Sequence, residues 1–383
     1  MGPFLSASHD GPAQQRALGV SRSLAVAGAE VLIGAGDHGP ADGLVRFPGV
    51  RVWSLGEVSR PADSHLHKGI ERTAWGRRTV TWLDSLAPRP DAVIIYGGGA
   101  IFAHRVMQWA RRERVPSVVD AVEWYDGTHQ PMGRLGPISI DNAWAMHRVY
   151  RRSKHVICIS SLLERHFASH GSITVRVPPT LDVHELPWRR DVPDERLTLA
   201  YAGTPGKKDL IDVVVRGIQR VDPEGARCRL HVLGMTEAEV RSLPACAEGL
   251  PSWLRAHGRV PRATALEVVG SSHYVPLVRP DKRYAHAGFP TKVVESLSSG
   301  TPVVCNVTSD LAHHVRDGVS GLVLSDSSAG AFAQGMTRAM AVEGTTYARM
   351  RAEARKEAER AFDFRVYVRP LSNFFDQVVR DRN

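Results

Sequence analysis

The 383-residue sequence lacks several features that would define its class. It has only four cysteines and no CxxC pair, which argues against a disulfide scaffold and a structural zinc site. No apolar run approaches the roughly 18 residues that span a bilayer. The N-terminus also lacks the basic and apolar regions of a secretory signal. We therefore predict a reduced, cytoplasmic protein.

Several nucleotide-binding motifs are missing as well. The glycine-rich loop 96–100 follows an apolar run but lacks the G-x-G-x-x-G pattern, which argues against dinucleotide binding. The loop 201–210 does not satisfy the G-x-x-x-x-G-K-S/T pattern of a Walker A loop. No nucleic-acid-binding module is recognisable, so we predict no nucleic-acid partner.

The charge is positive but modest. Lys plus Arg outnumber Asp plus Glu by 49 to 40, a formal net charge of +9, and residues 1–190 hold 23 basic against 17 acidic side chains. Basic clusters containing tryptophan are either solvated helix faces or a surface for peripheral contact with an anionic membrane. The clusters are Lys68, Arg72, Arg77 and Arg78 with Trp75 and Trp82; Arg111, Arg112 and Arg114 with Trp109; and Arg148, Arg151, Arg152 and Lys154 with Trp144.

Apolar runs alternate with amphipathic stretches along the chain, which predicts two α/β domains built on parallel sheets. A proline-rich, irregular segment separates an N-terminal domain, 1–185, from a second domain, 186–361. The aromatic-rich segment 362–383 would expose a large apolar face by itself, so we expect it to pack back on the N-terminal domain. The predicted strands are 3–8, 30–34, 92–96, 117–122, 155–159 and 173–177, and then 197–202, 229–233, 274–278, 302–306 and 321–324.

The most informative stretch is a loop that leads into a helix at the carboxyl edge of a predicted sheet. Gly288 and Pro290 mark the loop, and the helix begins at Pro290 or Thr291. Free N–H groups and the helix dipole favour a phosphate there, and Lys292 adds a full positive charge. Glu295 lies on the same face, where its carboxylate can accept both hydrogen bonds of a ribose diol. These residues predict a nucleoside-diphosphate clamp, with a solvated Lys292–Glu295 pair as the simpler alternative.

A second loop, 201–210, follows the first predicted strand of the second domain, where α/β sheets bind ligands. Gly203 and Gly206 permit close approach of the backbone, and Lys207 or Lys208 can neutralise phosphate charge. An exposed helix start with two solvated lysines is the alternative.

The residues of these two loops resemble glycosyltransferase family 4, whose members are retaining, metal-independent enzymes of the GT-B fold. The resemblance is carried by Y-A-G-x-P-G-K-K-D-L at 201–210, P-x-K-x-x-E at 290–295 and S-G-T-P-V-V at 299–304. A looser similarity extends through the N-terminal half, at 9–11, 120–125, 159–163 and 177–182.

The resemblance implies roles for particular residues. Glu295 would hold the donor ribose, Lys208 or Lys207 the diphosphate, and 257–260 would border the base. The implied donor-binding set is Gly11, Gly203, Thr204, Lys207, Lys208, Arg259, Pro290, Thr291, Lys292 and Glu295.

Two positions depart from the family pattern. The family's glutamates are spaced E-x7-E, and the partner of Glu295 falls at Ala287. The arginine that commonly precedes the diphosphate lysine is replaced by Thr204. We therefore expect the ribose and phosphate clamp, while the group that contacts the sugar stays open. The candidates to replace the missing glutamate are His286, Arg279 and Arg283.

A third region, 120–129, ends a predicted buried strand with carboxylates, aromatic rings and a histidine. We expect an acceptor pocket here in which Glu123 or Asp126 positions or deprotonates a hydroxyl, with Trp124 and His129 beside them. A capped strand end with solvated acids is the alternative.

The sequence contains no Asp-x-Asp motif, the carboxylate pair with which many sugar transferases chelate a metal. Cationic side chains and helix-terminal amides must then stabilise the leaving nucleoside diphosphate. We therefore expect no metal and no cofactor other than the nucleotide-sugar co-substrate.

Together these features predict a GT-B enzyme with two Rossmann-like domains facing a cleft. It would transfer a sugar, with retention, from a nucleoside-diphosphate sugar such as UDP-hexose or UDP-HexNAc to a hydroxyl of a glycan, lipid-linked or natural-product acceptor. Glu123 and Lys208 are the candidate catalytic residues. The alternatives are a sugar-nucleotide epimerase or hydrolase on the same fold, and a catalytically silent nucleotide-sugar-binding subunit.

Overall fold

The structure, a computed structural model, divides the chain into two units. The first comprises Met1–Leu181, Ala287–Phe289 and Phe364–Asn383, and the second comprises Asp182–His286 and Pro290–Asp363. The residues described are 2–3, 5–7, 11–58, 72–129, 132–186, 188, 196–205 and 208–381.

The described part of the N-terminal unit contains two sheets. One has the order β4-β5-β6-β7 and is parallel throughout. The other has the order β1-β3-β2, with β3 parallel to β1 and antiparallel to β2. The strands are β1 (Val31–Ala35), β2 (Leu44–Phe47), β3 (Val50–Ser54), β4 (Val93–Tyr96), β5 (Ser117–Ala121), β6 (His155–Cys158) and β7 (Ile173–Arg176).

From β3 onward helices alternate with these strands, because each short apolar run ends in a turn that opens an amphipathic segment. The helices are α1 (Pro12–Val26), α2 (Arg77–Ser85), α3 (Gly99–Arg112), α4 (Pro137–Trp144) and α5 (Ser161–Ala168). The strand β6 is buried along its whole length, as expected for a central strand of a parallel sheet covered on both faces.

In its described residues, the second unit is built on six parallel strands. The three-stranded sheets β10-β9-β8 and β11-β12-β13 meet at a parallel bridge between Leu199 and Tyr274. The strands are β8 (Leu197–Ala202), β9 (Cys228–Leu233), β10 (Leu254–Ala256), β11 (Val275–Leu277), β12 (Val303–Asn306) and β13 (Gly321–Leu324). The helices are α6 (Ile211–Val221), α7 (Glu237–Arg241), α8 (Arg262–Gly270), α9 (Arg283–Ala287), α10 (Thr291–Ser298), α11 (Ala329–Met340) and α12 (Gly344–Ala361).

The last helix, α13 (Val368–Arg380), belongs to the N-terminal unit. Its apolar side chains Leu371, Phe374 and Val378 pack in one core cluster with Val20 of α1 and Val118 of β5. The aromatic residues that would be exposed on an isolated terminal segment are thereby buried against the sheet.

The predicted α/β architecture with parallel sheets is confirmed, but three strands were missed. The strands β2 and β3 form a hairpin whose turn contains Gly49 at φ 79°, and β10 is only three residues long. Conversely, the predicted strand 3–8 is wrong for the residues described there, 3 and 5–7, which form no strand; the preceding residue, Gly2, forms a parallel bridge with Ala35.

The four cysteines are free and buried, and two of them, Cys228 and Cys246, lie in the same core cluster of the second unit. Burial raises the pKa of the Cys305 thiol to about 12, so this thiol is neutral at physiological pH. Within the described part of the chain, no helix is both long and apolar enough to cross a membrane.

Candidate active site

Three loops of the second unit are tied together at the carboxyl edge of its sheet. The Gly203 N–H after β8 donates to the Leu233 carbonyl at 2.7 Å. The Gly234 N–H after β9 donates to the Gly258 carbonyl at 2.7 Å, and the Gly258 N–H donates to the Met235 carbonyl at 2.9 Å. Backbone bonds therefore fix the strand ends where α/β sheets bind ligands.

A buried carboxylate, Asp209, organises the polar side chains at this edge. Its Oδ2 accepts from Lys292 Nζ at 2.8 Å and from the Tyr201 hydroxyl at 2.8 Å. Its Oδ1 accepts from Arg279 Nε at 2.9 Å. Burial raises the pKa of Asp209, but the Lys292 and Arg279 cations more than offset it and hold that pKa below its ordinary value. Asp209 therefore stays charged and anchors two cations side by side.

Gly203 provides the space that Lys292 occupies. At φ +130°, Gly203 adopts a backbone conformation that favours glycine, and an added Cβ would lie 2.7 Å from Lys292 Cε. The Lys292 ammonium also lies over the Tyr201 ring, 5.0 Å from its centroid. The glycine of the first loop and the lysine of the second are thus parts of one arrangement.

Helix α10 begins beside these cations. Pro290 is its N-cap, and its side chain accepts no hydrogen bond from the first turn. The first helical residue is Thr291, directly before Lys292, so the positive end of the helix dipole lies next to the lysine. This geometry is suited to an anion.

Glu295, one turn into α10, is not paired with Lys292. Its Oε1 accepts from Arg262 of α8, at 2.8 Å from Nη2 and 3.1 Å from Nε. Within the described residues, no donor reaches Oε2. The simpler alternative of a Lys292–Glu295 pair is wrong, because both residues take other partners.

The remaining predicted donor-site residues differ in their exposure and in their contacts. Thr204 is exposed, and its hydroxyl donates to the Gly234 carbonyl at 3.4 Å. Lys208 is half-buried, and Lys207 lies outside the described residues. Arg259 is exposed. Gly11 belongs to the N-terminal unit, where it caps α1.

The residues considered as substitutes for the missing glutamate have their own partners. Arg279 is held by Asp209 and, through its backbone, by the Asn306 side chain at 2.9 Å and 2.8 Å. His286 Nε2 contacts Asp281 Oδ1 at 2.6 Å, and its Nδ1 accepts from the Ser309 N–H at 3.3 Å. Arg283 also has partners, and Ala287 is fully buried.

Sequence reasoning missed Asp209, Arg262 and Asn306. Asp209 stood within the recognised Lys-Lys-Asp-Leu motif, so its position next to the lysines was an available signal. Arg262 and Asn306 are distant in sequence from the residues they contact, and only the fold brings them there.

In the N-terminal unit, Asp120 has a structural partner. Its carboxylate accepts from Arg16 Nη2 at 2.9 Å and Nε at 3.2 Å, and both side chains are buried. Arg16 Nη1 also donates to the Val177 and Pro178 carbonyls, each at 2.6 Å. Asp120 therefore joins α1 to β5 and the segment after β7.

The other residues of the predicted acceptor region follow β5. Asp126 Oδ1 accepts from the Thr128 N–H and hydroxyl, each at 2.9 Å, and closes a local turn. Glu123 is half-buried and Trp124 is buried. The side chain of His129 lies outside what the structure describes.

Trp124 packs in a cluster of imidazole rings that lie tilted or edge-on to one another. Its ring centroid lies 4.6 Å from that of His166 and 5.4 Å from that of His147, and His170 lies 4.9 Å beyond His166. Burial first, and then the charges of Arg151 and the neighbouring histidines, lower the pKa of His166 to about 4. The imidazole ring of His166 is therefore neutral at physiological pH.

Among the described residues, no three His, Cys, Asp or Glu side chains are grouped so as to hold a metal ion. The charged groups that the structure brings together at the edge of the second unit are cations around one carboxylate, an arrangement that attracts anions.

Sequence families match both halves of the chain. The family described as "Glycosyl transferase 4-like domain" matches residues 11–180, and "Glycosyl transferases group 1" matches residues 196–341. These matches cover most of the chain. The chain therefore belongs to the glycosyltransferases of family 4 and is a glycosyltransferase of the GT-B fold.

Solved structures show the same fold at low sequence identity. Sucrose-phosphate synthase from Thermosynechococcus elongatus has a TM-score of 0.73 and 15% identity, over 94% of this chain and 92% of that chain. Anabaena HepE in complex with UDP-glucose has a TM-score of 0.69 and 14% identity, over 97% and 98%. WaaG, a glycosyltransferase involved in lipopolysaccharide biosynthesis, has a TM-score of 0.65 and 13% identity, over 95% of each chain. No curated protein sequence matches the chain significantly.

Proposed function

We propose that this glycosyltransferase transfers a hexose or N-acetylhexosamine from a UDP-sugar to an acceptor hydroxyl, with retention at the anomeric carbon. The observation that carries the proposal is the arrangement around Asp209, in which Lys292 and Arg279 are held together at the start of α10. Two cations and a helix N-terminus suit the two phosphates of a nucleoside diphosphate.

The donor ribose would bind one turn further along α10. Since Arg262 engages only Oε1 of Glu295, Oε2 can accept from the ribose hydroxyls. The likeness to HepE, whose structure holds UDP-glucose, supports UDP as the nucleotide. Gly203, Thr204 and Arg259 on the tied loops would border the rest of the donor.

In the reaction, the bond between the anomeric carbon and the diphosphate breaks, and a bond to the acceptor oxygen forms. Negative charge develops on the departing diphosphate, where Lys292, Lys208 and the α10 amides would stabilise it. Cations and amides can do this without a metal ion, so metal independence stays a prediction. In the N-terminal unit, Glu123 would position the acceptor hydroxyl or receive its proton, with Trp124, Asp126 and His129 near it.

The acceptor would be a glycan end, a lipid-linked sugar or a natural product. WaaG, with the same fold, is involved in lipopolysaccharide biosynthesis, which favours an acceptor with an amphiphilic anchor. We accordingly propose that the protein works in the cytoplasm and makes peripheral contact with the inner membrane face.

The test is incubation with UDP-, GDP- and dTDP-sugars, with and without a pool of acceptors, followed by mass spectrometry of the products. We expect transfer from a UDP-sugar only when acceptor is present, with retained anomeric configuration by NMR and with unchanged rate in EDTA. Free or isomerised sugar formed without acceptor would instead indicate a hydrolase or epimerase, the alternative that Ala287 suggests. Tight donor binding with no transfer would indicate a silent binding subunit.

A further inference from the structure

A short segment of the N-terminal unit displays large apolar side chains to solvent. It follows the predicted acceptor region and runs from Met132 to the end of α4. The exposed fractions are 80% for Met132, 87% for Leu135, 55% for Ile140 and 57% for Trp144. Four such residues within thirteen positions form a patch, whereas singly scattered apolar residues are normal on protein surfaces.

The helical pattern separates this patch from the core. Helix α4 continues through a π-helical turn, Ala145–Val149, and a 3-10 turn, Tyr150–Arg152. Ala145, Met146 and Val149 are buried. On the outer side, Ile140, Trp144 and Arg148 are spaced four residues apart, so they share one face. The patch is thus the outer face of a helix whose inner face is already packed.

Basic side chains accompany the apolar patch along the chain, and within the described residues three of them form no ion pair with an acidic side chain. Between residues 127 and 163 the only acidic residue is Asp141. It is buried, where it accepts from Arg72 at 2.9 Å and from the Ala100 N–H at 3.0 Å. Arg134, Arg148 and Arg152 are exposed and form no ion pair with any described residue.

The structure distinguishes this cluster from the other basic clusters. Trp75 is 7% exposed beneath Arg72, and Trp109 is 2% exposed and donates to Asp84 at 2.8 Å. Arg112 pairs with Asp84 and Glu113. Those two tryptophans are core residues, whereas Trp144 lies at the boundary between an apolar surface and cationic groups.

We propose that Met132, Leu135, Ile140 and Trp144, with Arg134, Arg148 and Arg152, form the surface by which this chain rests on an anionic lipid bilayer. The apolar side chains enter the interfacial region, while the guanidinium groups contact lipid phosphates. A lipid surface fits better than a protein partner for two reasons. The three arginines form no ion pair with a described residue, and Trp144 lies at the boundary between apolar and cationic side chains. The inference specifies the membrane contact included in the proposed function.

The test is flotation of the full chain with vesicles of phosphatidylcholine alone and of phosphatidylcholine mixed with phosphatidylglycerol, without donor or acceptor. We expect at least about tenfold stronger binding to the anionic vesicles, and loss of that preference as sodium chloride is raised. Leu135→Ser with Trp144→Ser, and separately Arg148→Glu with Arg152→Glu, should each weaken binding by about tenfold or more.

Matched controls use exposed residues elsewhere. Leu44→Ser with Val45→Ser removes apolar side chains that are 45% and 64% exposed on β2. Arg229→Glu with Arg369→Glu makes the same charge change at two exposed arginines. Both controls should bind like the wild type, and melting by circular dichroism should show all variants folded.

Equal binding to neutral and anionic vesicles, or equal losses in the controls, would overturn the proposal. So would a dimer in solution that Leu135→Ser with Trp144→Ser converts to monomer, because the patch would then be covered by a second copy. Since the assay contains no sugar nucleotide, failure to bind vesicles while sugar transfer proceeds would refute this surface and leave the transferase proposal intact.

Discussion

Asp209 shows how one residue can organise a whole site. It is a buried carboxylate that receives hydrogen bonds from Tyr201, Lys292 and Arg279, which come from three different segments. The sequence motif drew attention to Lys207 and Lys208. Of these two lysines, only Lys208 lies within the described residues. The motif contains Asp209 but not its pairing with Arg279 and Lys292, which could not be predicted because these residues lie 70 and 83 positions away in the chain.

Replacing Asp209 should destabilise the protein. In Asp209→Asn, Lys292 and Arg279 lose their counter-charge, and removal of one partner from a buried charged group costs about 3 kcal/mol. Urea unfolding at about pH 7 measures the loss. Because the folded-state pKa of Asp209 is lowered, its contribution is present above about pH 4 and disappears as the pH falls through the folded-state value. The difference in the free energy of unfolding between the wild type and Asp209→Asn should therefore narrow in acid.

The exposed Asp376→Asn serves as the control and should change stability by less than about 0.5 kcal/mol. An equally stable Asp209→Asn protein, or a gap that widens in acid, would contradict the structural role assigned to Asp209.

Substitution of Gly203 tests whether UDP binding depends on the position of Lys292. Comparison with Gly249 separates crowding of the Lys292 side chain from strain in the backbone. Gly203→Ala adds a Cβ 2.7 Å from Lys292 Cε, at φ +130°. Gly249→Ala imposes the same strain at φ +129°, but nothing lies within 4 Å of the added Cβ. We expect both variants to lose some stability, and only Gly203→Ala to weaken UDP binding, by about tenfold in calorimetry. Similar UDP affinity in the two variants would show that the position of Lys292 does not matter.

At the scale of elements, the strands of the second unit were the most predictable. The predicted strands 197–202 and 321–324 have the observed bounds, because buried parallel strands are continuous apolar runs bounded by turns. The hairpin β2–β3 was missed, since its exposed residues break the apolar run. Its Pro48-Gly49 turn was a usable signal.

In the segment around the end of β5, the structure adds contacts that the sequence did not indicate. The sequence favoured Glu123 or Asp126 as the acid that positions the acceptor hydroxyl; in the structure Asp126 closes a local turn, and the preceding Asp120 is buried against Arg16. Trp124 packs against His166 instead of standing in an open pocket. The contacts of Asp120 and Trp124 depend on α1 and α5, so the local sequence alone could not reveal them, whereas the turn closed by Asp126 is a local contact with Thr128.

The histidine cluster around Trp124 predicts a pH dependence of stability. The unfolded chain binds a proton at His166 near pH 6.5, whereas the folded chain binds it only near pH 4. Between these values the unfolded state holds more protons, so stability must fall as the pH falls. Urea midpoints measured from about pH 7 to about pH 5 should therefore decline less steeply in His166→Gln than in the wild type. His104 is exposed, so His104→Gln should show the same decline of the urea midpoint with pH as the wild type. An equally steep decline in His166→Gln would contradict the role assigned to His166.

At the scale of the whole molecule, the sequence predicted both the architecture and the class of enzyme. The α/β architecture and the glycosyltransferase class followed from a few loop motifs, and the matches to both halves of the chain confirm them. The terminal helix α13 packs on the N-terminal sheet through Leu371 and Phe374, a position that the aromatic composition of the segment indicated. The sugar donor, the acceptor and the stereochemistry depend on side-chain arrangements that motifs do not specify.

The central claim is that the start of α10 and the loop after β8 bind a nucleoside diphosphate. Its most direct test is calorimetric titration of UDP into the wild type, Glu295→Ala and the control Glu267→Ala, an exposed glutamate on α8. Loss of hydrogen bonds to a charged carboxylate should raise the UDP dissociation constant of Glu295→Ala about tenfold or more, while Glu267→Ala binds like the wild type. Unchanged UDP affinity in Glu295→Ala, or equal weakening in both variants, would contradict the assignment.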